Sequence, residues 1–331
     1  MTILVVEGAA KVCRKEGNIA VSDKEGSSVE VPVPDLELVV IVGERVLVTT
    51  SALITLLSNG VPVVFLSGKL DTYGVLYDVV QVGTTNIREV QYKCFSDEFC
   101  KMMYAKPIIY SKIRGLYNTL RYEYKYYKDL MSNYEDTKTK MLEVMNSIEK
   151  SHDLEELRRL EAVGSKYFWY TAINLLPSEY GFTGREPRKG DVVNSSIDFL
   201  YAILYGVVTK AIVTTGLDPF YGVIHVLRSG RLSLTYDLSE IFKPLAVHSI
   251  IQASRKARLR TLRGSRMLTP RTIEILVGHL YSRLSRESEK LYNRKSIWIL
   301  PMREVARFKD SILKRFNYEA YTYDPTSGTS A

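Results

Sequence analysis

The sequence predicts an α+β chain of two domains, a small N-terminal β-rich domain followed by a larger all-α domain. Three observations predict it. Up to about Val90, short runs of Val, Ile and Leu are broken by Gly, Pro and Asp, the pattern of strands and turns. From Glu98 onward, apolar residues recur at helical spacing with few prolines. Charge divides at the same place: residues 1–97 carry eight basic and twelve acidic side chains, net −4, and residues 98–331 carry 37 and 25, net +12. With 331 residues, 46% of them hydrophobic and 25% charged, the chain has the length and composition of a folded globular protein. A single small module, a collagenous repeat and wholesale disorder are excluded.

In chain order, the first domain, 1–88, has strand-like runs at Thr2–Val6, Ser28–Val33, Glu37–Val42, Val46–Val48, Val61–Phe65 and Val75–Tyr77. One short helix fits Ser51–Gly60, which begins on a capping residue and ends on glycine. Residues 89–97 lose the strand rhythm and read as a linker. Residues 98–316 form the α-helical domain. Within it Met102–Leu130 is crowded with Tyr and basic residues, and Asp136–Arg159 reads as a highly charged helix. The longest apolar stretch, Ile197–Leu217, contains Asp198 and Lys210 and reads as a buried helix rather than a membrane span. Residues 317–331, polar with Gly, Ser and Pro, read as a flexible tail.

Cys13, Cys94 and Cys100 are odd in number and contain no CxxC pair, which argues against a disulfide framework or a zinc ribbon and for a reducing, cytoplasmic setting. The first residues have no basic side chain ahead of their apolar run, unlike a secretory signal. Phosphate-loop, dinucleotide-fold, nucleophile-elbow and HExxH signatures are absent, so nucleotide hydrolysis and serine-hydrolase chemistry lose support.

What stands out is acidic residues and one histidine in places where charge is awkward. On a continuous helix, Leu154, Leu157, Gly164 and Phe168 put Glu161 on the apolar stripe, where it needs a cation, a donor, a metal or a proton. An ion pair with an arginine satisfies it as well as a metal does. His225 follows the turn marked by Asp218, Pro219 and Gly222, at the junction of a loop and an apolar segment. Hydrogen bonding alone accounts for such a histidine as readily as ligation. Leu232, Leu234 and Tyr236 alternate as a strand does, and if the chain then turns helical, Asp237 and Glu240 share a face. Acids in a first helical turn, with Glu240 paired to Lys243, are the plainer alternative.

Taken together, a histidine with carboxylates suits Mg2+ or Mn2+, which leave positions open for water and phosphate oxygens. Basic residues that would hold such a substrate are Lys166, Arg185, Arg188 and Lys243, and above all Arg255, Lys256, Arg258 and Arg260 in the run up to Arg266. That window has six basic residues and no acid. It reads either as a solvated helix face or as a polyanion-binding strip.

At this point the residues resemble the CRISPR-associated protein one family. The resemblance rests on Glu161-Ala-Val-Gly-Ser-Lys-Tyr-Phe-Trp, Arg185-Glu-Pro ahead of Asp191-Val-Val-Asn194, Gly216-Leu-Asp-Pro219 with Gly222 and His225, and Ser233-Leu-Thr-Tyr-Asp237-Leu-Ser-Glu240-Ile-Phe-Lys-Pro244. The four blocks stand in family order, and the β-rich start with a helical remainder resembles the family layout over most of the chain. The resemblance implies that Glu161, His225 and Glu240 ligate a divalent metal, with Asp237 a further acidic residue of the site. It implies a metal-dependent DNA endonuclease and integrase of CRISPR adaptation, joining the 3′-hydroxyl of a captured fragment to a repeat by transesterification. It also implies double-stranded DNA as substrate, a homodimer through the β-rich domains, CRISPR-associated protein two as partner, and no membrane. Departures from the family pattern are Ala162, Gly164-Ser165, the loosened REPRKG stretch and Lys243. A non-catalytic nucleic-acid scaffold and a general structure-selective nuclease remain as alternatives.

Overall fold

The computed structural model describes residues 2–68, 72–78, 84–225 and 228–326. The chain begins with β1 (Thr2–Glu7), β2 (Lys11–Lys15), β3 (Asn18–Ser22), β4 (Ser28–Pro32), β5 (Leu36–Val42), β6 (Leu47–Val48), helix α1 (Thr50–Ser58), β7 (Val63–Leu66) and β8 (Thr72–Leu76). They make two four-stranded sheets, ordered β1-β5-β7-β8 and β4-β3-β2-β6. Strands β2 and β3 lie outside the runs expected from sequence, because Lys11, Arg14 and Lys15 interrupt the apolar signal. Their hairpin closes on Glu16 and Gly17, both at positive φ, the two-residue turn that suits the twist of paired strands.

Strand β5 explains how the sheets join the rest of the molecule. Every one of its residues is buried, and successive side chains alternate between faces. Leu38, Val40 and Val42 belong to the large core shared with the helices, whereas Val39 and Ile41 pack with Val12, Ile19 and α1 in a smaller one, joined by Leu36 where the register shifts.

The helices follow as α2 (Thr84–Ser96), α3 (Glu98–Tyr124), α4 (Tyr134–Lys150), α5 (Leu154–Ala172), α6 (Val192–Thr214), α7 (Ser233–Ser239), α8 (Lys243–Lys256), α9 (Pro270–Tyr292) and α10 (Ile299–Lys314). Helix α6 is long and apolar enough to cross a membrane by composition, but it lies in the core, with Val193, Ile197, Phe199, Leu200 and Ile203 wholly covered.

Four expectations are corrected. The stretch expected as an irregular linker is the C-terminal part of α2, fixed by the buried Phe95 and by Gln91, whose amide donates to the carbonyls of Asp218 (3.0 Å) and Tyr221 (2.8 Å). Cys94 and Cys100 form a disulfide between α2 and α3, their Cα atoms 5.4 Å apart. Counting cysteines could not show that the two helix ends meet there. The alternation at Leu232–Tyr236 belongs to helix α7, because the governing spacing is Leu234, Leu238, Ile241 and Leu245, one apolar stripe. The expected flexible tail is ordered up to Thr326. Tyr318 and Tyr323 are buried, Tyr318 donates to Glu304 at 2.5 Å, and Tyr321 donates to Glu287 at 2.7 Å. The last five residues of that tail, 327–331, lie outside the described residues.

Candidate active site

Helices α3, α5, α6 and α8 wall a cleft of about 1370 Å³, lined among others by Lys112, Glu161, Tyr201, Tyr205, His225 and Lys243. Each side chain arrives there for a local reason. Asp153 caps α5 by accepting from the Glu156 amide at 2.7 Å, and Leu157, Gly164 and Phe168 bury one face of that helix. Glu161 falls at the edge of this stripe and looks into the cleft, its side chain a quarter exposed. Close approach of α5 to α3 requires Gly164, where a Cβ would stand 2.8 Å from Ile113 Cδ1. That contact brings Glu161 onto Lys112, the residue next to Ile113.

Lys112 is the residue that the spacing of acids and histidines missed. It lies between Ile109, Ile113 and Leu116 on the buried face of α3, and this apolar setting was the available signal. Its ammonium pairs with Glu161 Oε1 and stands 2.6 Å from Glu240 Oε2, so two carboxylates flank one positive charge. Burial works against the charged lysine, but the Glu240 and Glu161 carboxylates prevail, and its pKa is raised. Glu240 follows α7 in a short helical turn, Glu240–Phe242, and Lys243 Nζ donates to its other oxygen at 2.6 Å. Burial alone would raise the Glu240 carboxyl. The Lys112 and Lys243 charges, foremost Lys112, with His225 nearby, outweigh it and hold the pKa at about 2. Glu240 Oε2 is buried and has the Lys112 ammonium as its counter-charge.

His225 reaches the cleft through a loop held from three sides. Asp237, on α7 and wholly buried, accepts from the amides of Val223 (2.6 Å), Ile224 (3.0 Å) and His225 (3.0 Å), and lies 2.6 Å from His225 Nδ1. Arg158, one turn before Glu161, donates to the Ile224 carbonyl through Nε at 2.8 Å and also through Nη2. Gln91 of α2 holds Asp218 and Tyr221 upstream. Gly222 permits the loop to lie so close: a Cβ there would stand 2.3 Å from Asp237 Oδ2 and 2.8 Å from the Ser233 backbone. The carboxylate at Nδ1 keeps the proton on that nitrogen and leaves the Nε2 lone pair for the cleft.

Glu161 and Glu240 thus meet on Lys112, and His225 lines the same cleft, while Asp237 spends both oxygens on the loop and on the imidazole. Two carboxylates and an imidazole Nε2 are a donor set that fits Mg2+ or Mn2+, and Glu240 Oε2, paired with the Lys112 ammonium, already faces a cation. Among the described residues, no three His, Cys, Asp or Glu side chains are arranged to close around an ion. Lys112 stands between the carboxylates instead.

The basic residues divide. Lys166 is exposed at the cleft, and Lys243 packs over the rings of Tyr201 (4.8 Å) and Tyr205 (6.0 Å). Arg185 is engaged with Asp198 (2.6 Å) and Asn194 (3.1 Å) while lining the cleft, and the exposed Arg188 donates its amide to Asp198 at 3.1 Å. Only the start of the Arg255–Arg266 run is helical. Arg255 lies over the Tyr127 ring, 3.8 Å from Glu123, and is turned away from bulk solvent. Lys256, Arg258 and Arg260 are exposed, with Arg258 3.2 Å from Glu179. Trp169, Tyr170, Tyr201 and Tyr205 add aromatic surface to the cleft; Trp169 closes the Glu161 block, whereas the three tyrosines are scattered and gave no sequence motif.

The family model for the CRISPR associated protein Cas1 matches residues 3–268. A CRISPR-associated endonuclease Cas1 of Saccharolobus solfataricus is 30% identical over 263 residues, 80% of this chain and 78% of that protein. One from Korarchaeum cryptofilum is 29% identical over 328 residues, 92% and 94% of the two chains. In fold, the chain is similar to a casposase bound to integration product, with a TM-score of 0.83, 19% identity, and 97% and 93% of the chains covered. It is also similar to a Cas1 protein from Thermotoga maritima, with a TM-score of 0.74, 19% identity, and 95% and 97% covered.

Proposed function

The chain belongs to the CRISPR-associated protein Cas1 family, and we propose that it is a divalent-metal-dependent DNA endonuclease and integrase of CRISPR adaptation. The observation that carries this reading is that Glu161 and His225 line one basic, aromatic-lined cleft, with Glu240 buried just behind it on Lys112 and Lys243 and His225 oriented by Asp237. Its relatives' names support the nuclease activity, and a solved neighbour that is a Cas6-RT-Cas1–Cas2 complex supports a Cas2 partner. Double-stranded DNA, a homodimer and a cytoplasmic setting complete the proposal.

Glu161, His225 and Glu240 would hold Mg2+ or Mn2+. Bound there, the ion would supply Lewis-acid stabilisation of the phosphoryl oxygens and a lowered pKa for the attacking hydroxyl. The protein does the rest. Asp237 keeps the His225 proton on Nδ1, so Nε2 is ready as a donor of electrons. Arg158 and Gln91 hold the loop and thereby the imidazole. Lys243 is charged at neutral pH, its pKa raised because the Glu240 carboxylate prevails over burial, and with Lys166 it offsets charge that grows on the phosphodiester. The aromatic rings and cations fix the strand so that a 3′-hydroxyl lies in line with phosphorus, and such orientation contributes about 7–11 kcal/mol.

The test separates catalysis from binding. Glu161→Ala and His225→Ala lower the joining of a 3′-hydroxyl duplex to a repeat-bearing plasmid by about a thousandfold or more with Mg2+ or Mn2+ present, and leave DNA affinity within about threefold. A scaffold whose acids serve only as partners for cations would join no DNA in the wild type. A general nuclease would degrade the plasmid without covalent joining. Joining at the wild-type rate in both variants contradicts the assignment.

A further inference from the structure

Helices α8 and α9 enclose a second depression, of about 640 Å³, outside the catalytic cleft. Its α9 wall carries Arg271, His279, Arg283, Arg286 and Lys290, spaced at three-, four- or eight-residue steps and therefore on one stripe. The stripe runs about 28 Å at the rise of an α-helix. Lys256 faces it from α8. The acids nearby are already engaged: Glu274 pairs with Arg271 at 2.7 Å, and the buried Glu287 accepts from Tyr321 at 2.7 Å with Lys290 3.7 Å away. Lys256 and Arg286 are exposed and have no ion-pair partner among the described residues.

A solvated helix face normally alternates the sign of its charges at i, i+4, because like charges at that spacing destabilise a helix. Here Glu274 and Glu287 answer Arg271 and Lys290, but Arg286 pairs with no acid among the described residues and confronts Lys256 across the groove. The floor is built rather than loose. Arg283 donates to His248 Nδ1 (2.8 Å) and to the Tyr323 hydroxyl (2.5 Å), and its Nε is buried without a hydrogen bond. The local field is positive enough that burial, Lys256 and Arg283 together push the His279 imidazole down.

Helix α8 links the two places. Lys243 and Val247 line the catalytic cleft, whereas His248, Gln252 and Lys256 line the second groove. Lys243 and Lys256 are about 20 Å apart along the helix axis and on different faces of it. We propose that the α8–α9 groove is a second phosphodiester track, which takes the sugar-phosphate backbone of duplex DNA outside the catalytic cleft. The proposal rests on DNA being the substrate. It adds a binding surface that touches no reacting atom.

Lys256→Gln with Arg286→Gln tests it, since both side chains are exposed and neither holds a structural contact. Binding of a duplex of about 30 base pairs is followed by fluorescence anisotropy without divalent ion, across a salt series. The double variant binds about tenfold more weakly at low salt, and its log–log salt slope falls by about 1.8, close to the loss of two phosphate contacts. Lys11→Gln with Lys24→Gln, on the β-rich part, changes neither. An unchanged slope in the groove variant overturns the proposal. So does a second outcome: inorganic phosphate stabilises the wild type but not the variant against heat while duplex affinity stays equal, which makes the groove a site for a free anion. Because neither metal nor chemistry enters this measurement, its failure is distinct from retention of joining in Glu161→Ala, which tests the catalytic reading.

Discussion

Lys112 puts a single ammonium between Glu161 and Glu240, so its removal leaves two carboxylates facing each other across the cleft. Lys112→Met therefore destabilises the metal-free protein by about 3 kcal/mol or more, the cost of stripping a buried ion pair of one partner. Added Mg2+ or Mn2+ then raises the melting temperature of the variant more than that of the wild type. Calorimetry with and without the ion checks this, and equal melting temperatures in the metal-free proteins contradict it. His248 supplies the pH dependence. Burial and the Arg283 charge lower its pKa from 6.5 to about 4 despite the Glu123 carboxylate, so folding favours the neutral ring. The unfolded chain binds the extra proton. Stability is full above pH 6.5 and declines as pH falls toward 4, and His248→Gln flattens that part of a plot of melting temperature against pH. Glu240 acts lower on the scale: its contribution is full above pH 4.5 and is lost toward pH 2. At this scale the sequence exposed the acids and His225 through spacing and family resemblance. Lys112 and Arg158 were hidden, because what they do depends on a carboxylate and a carbonyl contributed by other elements.

The loop from Gly216 to His225 is the element on which the site turns, held by Gln91 from α2, Arg158 from α5 and Asp237 from α7. Gly222→Ala forces its new methyl group into Asp237 and the Ser233 backbone. The expected result is a loss of DNA joining by about a hundredfold or more through a displaced imidazole, with the far-ultraviolet circular dichroism kept, because a small misplacement of a reacting group is costly. Wild-type joining in this variant would show that the tight fit is not needed. Elements were legible where their own periodicity governed: α1, β1 and β5 lie within two residues of expectation, whereas the single charged helix expected over Asp136–Arg159 is divided between α4 and α5, with Asp153 capping the second. They were misread where a short window mimicked another period, as at Leu232–Tyr236, or where a partner element supplied the order, as for α2 and the tyrosine-rich C-terminal segment.

In the whole molecule, strand β5 commits one face to each of two cores, so the β-rich part is anchored to the helices that build the cleft. The α+β layout was readable from the change of hydrophobic rhythm near residue 98, together with the change in the sign of the charge. The shared core was not, since continuous burial of β5 reads the same whichever layers cover it. The cleft is likewise a property of the assembled helices: Glu161, His225 and Glu240 come from α5, a loop and a turn after α7, and nothing local binds them together. The account stands on these three residues acting as one divalent-ion site. Anomalous diffraction from a crystal of the protein grown with Mn2+ tests that most directly. A single manganese peak bonded to Glu161, His225 and Glu240, with the Lys112 ammonium displaced from between the carboxylates, is the predicted result. No peak in the cleft, with Lys112 still bridging Glu161 and Glu240 at saturating Mn2+, would contradict it.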